Sequence, residues 1–300
     1  MLITTLFSQG CNFFFGSLMT HKSNFIFKIP IMFMIVFFVI PLALTVVWSV
    51  FERTMFWMEP AFTLFSYENF FFSSRLENFL SSMMHSSISV VCAFFIGFPI
   101  AIFIRRRVRK VAQHRVMLLF ILPFMVSEII RIFALRPILS RNGVVNSFLM
   151  DMNIIDSPIS IFVFTPTGVV IGEIVSFLPF MIFSTFLALE AIPNYIFEVC
   201  SDLGVNRKRM FLDIFFPLAA PGLFAGSVFI FVNGIGIALI PTILGGPGSV
   251  NAGLIATQAI IALDFPLAMA VSAIMMFTLM GLLYIGHRLF NLTKLLEPIS

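Results

Sequence analysis

From residue 214 to residue 263 the chain carries no Asp, Glu, Lys or Arg, and several other stretches are nearly as bare. An ordinary soluble domain covers its surface with charge, about a quarter of its residues, whereas here only 11% are charged and 60% are hydrophobic. A helix of about 20 apolar residues crosses the hydrocarbon of a bilayer with all its backbone hydrogen bonds made internally. The apolar runs place spans near 29–51, 78–104, 116–135, 159–189, 218–244 and 266–286, which makes the fold class all-α and integral to a membrane, with about six transmembrane helices. GGPGSVN at 245–251 interrupts the longest run, and 252–263 is too short to span, so it is predicted as an interfacial or re-entrant helix.

Short loops rich in Lys and Arg stay on the cytoplasmic side of a membrane. With the N-terminus inside, that side receives Lys22 and Lys28, then Arg105, Arg106, Arg107, Arg109, Lys110 and Arg115, then Arg207, Lys208 and Arg209, then Arg288 and Lys294. The opposite side receives Arg53, Arg75, Arg136 and Arg141, and Arg131 falls within the third span. Both termini are therefore predicted to be cytoplasmic, with an extension over 1–24, a transmembrane domain over 25–290 and a tail over 291–300. Glu52, Glu59, Glu68, Glu77, Asp151, Asp156 and Asp264 make the outer loops acidic, so the net charge of +4 reports topology and not a nucleic-acid partner. The four histidines are scattered, and Cys11, Cys92 and Cys200 suit neither a disulfide framework nor a metal site. No GxxxxGK[ST] phosphate loop occurs, so any ATP used is bound by another chain.

The segment EVCSDLGVNRKRMFLDIFFP at 198–217 gathers charge between two apolar regions. Its spacing predicts two short helices joined at a turn near Gly204. Val199, Leu203, Met210, Phe211 and Ile214 form an apolar side, and Glu198, Asp202, Arg207, Lys208, Arg209 and Asp213 a charged one. Such a hairpin either docks in a groove of a partner or lies on lipid headgroups.

Glu198, Gly204 six residues later, Ile214 ten further on and then Pro217 resemble the EAA-type loop of ABC importer permeases, which reads E-A-A, three residues, G, nine residues, I-x-L-P. Val199 and Cys200 replace the paired alanines, and Phe216 replaces the leucine. The resemblance implies a type I importer transmembrane domain in a bacterial inner membrane. Its coupling loop, about 190–217 with Glu198, Asp202, Gly204, Ile214 and Pro217, would dock on a separate ATPase dimer. It also implies a second homologous permease, a periplasmic or extracellular substrate-binding protein, and no cofactor in this chain, ATP being bound by the partner. FTLFSYENF at 62–70, NGVVNSFL at 142–149, SFLPFMIFSTFLALEAIP at 176–193 and IPTILGGPGS at 240–249 are together similar to the spermidine and putrescine branch. Iron, sulfate and thiamine permeases share parts of this skeleton and stand as alternatives. A self-sufficient secondary transporter, with the intramembrane charges as a relay, is the rival from another class.

Those charges are Glu128, Arg131 and Glu173. An ionisable group at mid-membrane costs about 2.5–3.5 kcal/mol on insertion scales, so each needs a partner or a wet face. Glu128 and Arg131, three apart, share a helix face and are expected to neutralise each other. Glu173, near the middle of the fourth span, has no such neighbour. It is expected either on a wet substrate path, where a polycation would meet it, or bonded to the partner permease.

Overall fold

The computed structural model describes residues 23–290, apart from Asn194, Phe197, Glu198, Cys200, Ser201, Leu203, Arg207, Lys208 and Pro247. The expected extension and tail thus lie outside the described residues, save that Ser23 and Asn24 already open the first helix. In chain order the helices are α1 (Ser23–Met34), α2 (Ile40–Trp48), α3 (Phe65–Phe71), α4 (Ser74–Arg107), α5 (Lys110–Met125), α6 (Glu128–Leu139) and α7 (Val144–Asp151). After these come α8 (Pro166–Glu190), α9 (Phe216–Gly236), α10 (Leu239–Leu244), α11 (Ala252–Ile261) and α12 (Phe265–Phe290). A two-residue hairpin, β1 (Glu52–Arg53) with β2 (Met58–Glu59), pairs Glu52 with Glu59 and Arg53 with Met58.

Two π-helical turns, Ile35–Val39 and Met210–Phe215, lead into α2 and α9. Each lies just upstream of a proline in the first turn of the next helix, Pro41 and Pro217. A proline ring donates no hydrogen bond and crowds the carbonyl four residues back, so the ladder widens by one residue before it. Ile40 N–H accordingly bonds the Ile35 carbonyl, and Phe216 N–H bonds the Phe211 carbonyl. The helix stays unbroken, and both stretches are long and apolar enough to cross a membrane.

Among the described residues five helical stretches meet that test singly, and a sixth does if α5 and α6–α7 count as one span bent by 90°. The expected count of about six therefore stands in this form, but the third span is not the straight helix predicted over 116–135. Pro123 weakens the end of α5, Val126 and Ser127 leave helical geometry, and Glu128 starts a new helix with its carboxylate in the favourable first turn. The fourth span begins at Pro166, not 159, because Thr165 caps the Gly168 amide and Pro166 suits a first helical turn. The fifth ends at Gly236, and α10 follows as a separate short helix. The segment predicted as short and non-spanning is α11, capped by the Asn251 side chain on the Leu254 amide.

The helix α4 has 34 residues, about 51 Å at the helical rise, so it exceeds the ~30 Å of hydrocarbon and carries Arg105, Arg106 and Arg107 past it. It packs with α8 and α9 into the central bundle, whose core includes Phe98, Ile104, Met181, Ile182, Phe186, Leu189, Phe215 and Leu223. Small residues set the spacing. A Cβ on Gly222 would run into the Ser184 carbonyl and lie 2.7 Å from the Ala188 Cβ, so α8 and α9 touch backbone to backbone. A second core around Phe70, Phe79, Ile255, Leu267 and Val271 joins α3, α4, α11 and α12. The first span, Ile29–Trp48, buries none of its most apolar window within the chain and touches mainly α12.

Candidate functional site

At the Arg-rich end of the bundle, α8 stops at Glu190 and the chain reaches the charged segment singled out by its spacing. Tyr195, Ile196, Val199 and Asp202 are helical, Gly204 turns, and Arg209 begins the helical run that continues through Met210–Phe215 into α9. Gly204 adopts φ +64°, a left-handed conformation that a side chain disfavours, and a Cβ there would meet nothing within 4 Å. Asp202 is exposed, Ile214 packs against the central core, and Pro217 sits in the first turn of α9. Glu198 lies outside the described residues. The second half of the hairpin is thus not a separate short helix but the leading end of α9.

This elbow is tied to α4 by groups that sequence reasoning did not single out. Arg105 donates from Nε to the Leu189 carbonyl at 3.1 Å and from Nη2 to the Ile192 carbonyl at 2.9 Å, which clamps the end of α8. In the sequence it looked like one more topology-setting arginine. Buried Gln113 donates to the carbonyls of Ile104, Arg105 and Val108 at 3.3, 3.0 and 2.9 Å, which closes the end of α4. His114 reaches Glu190 at 3.3 Å. Phe98 contacts the rings of Phe211 and Phe216 at centroid distances of 5.3 and 6.0 Å. The elbow thus contacts α4 and is continuous with α8 and α9.

The intramembrane charges are arranged differently from expectation. Glu128 and Arg131 lie close enough to interact electrostatically but form no direct salt bridge: Arg131 donates from Nη1 to the Ser176 carbonyl at 2.8 Å and from Nη2 to the Val126 carbonyl at 3.2 Å, and its guanidinium lies 5.3 Å from the Phe124 ring centre. The 90° break leaves carbonyls at the end of α5 without helical partners, and this cation satisfies one of them while bridging to α8. Glu128 Oε1 and Arg131 Nε have no partner.

Glu173 is 1% exposed and faces the interior of its own bundle, neither a wet path nor an outer face. It sits where α4, α8 and α9 meet. The hydroxyls of Ser86 and Ser89 face its carboxylate, although Oε2 and both hydroxyls lack a partner in hydrogen-bonding geometry. Gly234 makes room for them, since a Cβ there would strike Ser86 Oγ and come within 2.9 Å of Glu173 Oε2. One turn along α8, Ser176 is fully buried and its hydroxyl is also unpartnered. On the α9 side Asn251 donates to the carbonyls of Gly234 and Ile237 at 2.9 and 2.8 Å, locking α11 to the end of α9. At the acidic end Arg53 pairs with Asp264 at 3.2 Å and bonds the Ala262 carbonyl at 2.8 Å, holding the hairpin to the start of α12.

A bundle of about six apolar spans, with a charged helical elbow clamped to its central helices, defines a polytopic membrane protein. The chain belongs to the family of binding-protein-dependent transport system inner membrane components, whose model matches residues 89–294. It is a multi-pass inner-membrane protein and a transport subunit. The spermidine/putrescine transport system permease protein PotB of Escherichia coli K12 is 30% identical over 231 residues, 77% of this chain and 83% of that one. PotB of Haemophilus influenzae is 30% identical over 233 residues, 76% of this chain and 81% of that one. Among solved structures, the bacterial alginate ABC transporter in complex with a pentasaccharide-bound periplasmic protein matches with a TM-score of 0.67 at 14% identity, covering 91% of this chain and 95% of that one. The inward-facing MetNI methionine ABC transporter matches with a TM-score of 0.54 at 15% identity, covering 72% of this chain and 94% of that one. These two agree with the fold of an ABC importer transmembrane domain.

Proposed function

We propose that this chain is one of two permease subunits of an ABC importer for polyamines of the spermidine and putrescine kind. The identity to PotB over most of both chains carries the reading. The spacing of the elbow supports its mechanical half: Glu198, Asp202, Gly204, Ile214 and Pro217 fall on a segment whose far end is continuous with α9 and whose near end is clamped through Arg105. ATP binds to a separate ATPase dimer below, a second permease completes the path, and a binding protein delivers the solute from above. Closure of the ATPase dimer pulls the elbow and shifts α4, α8 and α9 relative to one another. Glu173 meets an ammonium group only in a state where those three helices have moved apart, and its carboxylate then offers a charge-assisted contact.

Both termini are cytoplasmic in this reading, from the bias of Lys and Arg. Single cysteines at Arg107 and Asn206 then label only after permeabilisation, whereas a cysteine at Ser73 labels in intact cells. Labelling of Asn206 from outside would overturn the orientation. Co-purification with an ATPase supports the importer, and solute movement by the chain alone down an ion gradient would replace it with the secondary-transporter reading.

A further inference from the structure

Beside the elbow, α4 and Phe211 line a cavity of about 520 Å³ whose walls are Pro99, Ile102, Phe103, Arg106, Arg107 and Phe211. Its chemistry is split along the helix axis. Pro99, Ile102 and Phe103 belong to the apolar part of the span, and Phe103 is 61% exposed. One turn further, Arg106 and Arg107 are both exposed. No carboxylate among the described residues pairs with either of them. The surrounding stretch, residues 105–115, contains six basic residues and no acidic one.

The neighbouring groups explain why these two guanidiniums stay available. The third arginine of the run, Arg105, turns inward to the Leu189 and Ile192 carbonyls. The end of α4 is already closed by Gln113, so its carbonyls do not need Arg106 or Arg107. The Arg106 guanidinium lies 5.3 Å from the Phe215 ring centre, which orients it at the cavity while leaving it exposed. A fixed cation above an apolar wall fits an amphiphile: an anionic head at the level of Arg106 and Arg107, and an acyl chain along Phe103, Ile102 and Pro99.

We propose that this cavity binds the headgroup and first acyl segment of an anionic phospholipid. A cytosolic protein surface would cover the arginines but would have no reason to follow the wall down to Pro99 inside the span. A free phosphate would use the arginines and leave the phenylalanines idle. The lipid is seated against Phe211, so it contacts the elbow directly and joins the bilayer to the part of the chain that the ATPase moves.

The test is native mass spectrometry of the full complex released from nanodiscs of mixed phosphatidylglycerol and phosphatidylcholine. The complex is expected to retain phosphatidylglycerol in preference to phosphatidylcholine. Each basic residue near the surface strengthens binding of anionic lipid about fivefold, so Arg106→Gln with Arg107→Gln is expected to lower retention about thirtyfold. Arg106→Lys with Arg107→Lys is expected to keep most of it. Unchanged retention in the Gln variant, displacement of the lipid by inorganic phosphate, or retention only in complexes stripped of the ATPase would each overturn the proposal. Should the Gln variant fail to assemble, the unaltered complex decides: retention must fall as salt screens the arginines, and retention independent of salt overturns it.

Discussion

Gly204 separates backbone geometry from contact in the elbow more cleanly than any other position. Its φ of +64° lies in the region where a Cβ costs about 1–2 kcal/mol, and no atom within 4 Å would clash with that Cβ. The structure therefore assigns the whole cost of Gly204→Ala to the backbone, about 1 kcal/mol, which disfavours the native turn about fivefold. Asn tolerates this conformation better than Ala and a β-branched residue tolerates it worst, so coupled uptake should fall in the order Gly, Asn, Ala, Val. Gly204 is exposed and outside both apolar cores, so the yield of assembled complex should hardly change across the series. The assay is ATP-driven uptake by the reconstituted complex, normalised to complex recovered. Gly204→Ala with the uptake of the unaltered protein, or Asn impaired more than Ala, would refute the reasoning and place the constraint in side-chain contact instead.

Three further outcomes follow from the packing of the bundle. Gly222→Ala gains about 1 kcal/mol of helix propensity but drives a methyl into Ser184 and Ala188, an overpacking worth about 1–3 kcal/mol, so the thermal midpoint of the purified complex should drop; an unchanged or higher midpoint would show that α8 and α9 are not in backbone contact. Glu173→Gln keeps shape and removes charge, so complex yield should hold while polyamine uptake falls at least about tenfold, the scale of one lost charge-assisted contact; normal uptake would make Glu173 a packing residue only. Arg131→Met removes both carbonyl bonds at the break and should lower protein yield sharply, whereas Glu128→Gln should be milder because no hydrogen bond or salt bridge joins the two side chains; equal damage from both would restore the ion pair.

Hydropathy made the spans legible because lipid leaves a chain few choices, and the spacing of Glu198, Gly204, Ile214 and Pro217 made the elbow legible because that segment is too polar to enter lipid. The break at Val126 and Ser127 was hidden: residues 116–135 are apolar enough to read as one span, and Pro123 alone does not say whether a helix kinks or ends. Arg131 was misassigned for a related reason, since sequence spacing finds partners on the same helix and its main partner is a backbone carbonyl on α8. Arg105 and Gln113 act through carbonyls as well, which leave no trace in residue type. Glu173 was correctly read as lacking a basic neighbour on its own helix, but which face of α8 turns inward depends on Ser86 and Gly234, residues distant in sequence.

The central claim, an ATP-powered polyamine importer of which this chain forms half the path, meets its most direct test in sealed vesicles. The purified chain is reconstituted with its partner permease, ATPase and binding protein, with ATP enclosed on the ATPase side and labelled spermidine or putrescine outside. Uptake is predicted that requires ATP hydrolysis and the binding protein and that disappears when either is withheld. Accumulation that persists without ATP and follows an imposed ion gradient, or ATP-driven uptake of another solute with no polyamine moved, would contradict the account.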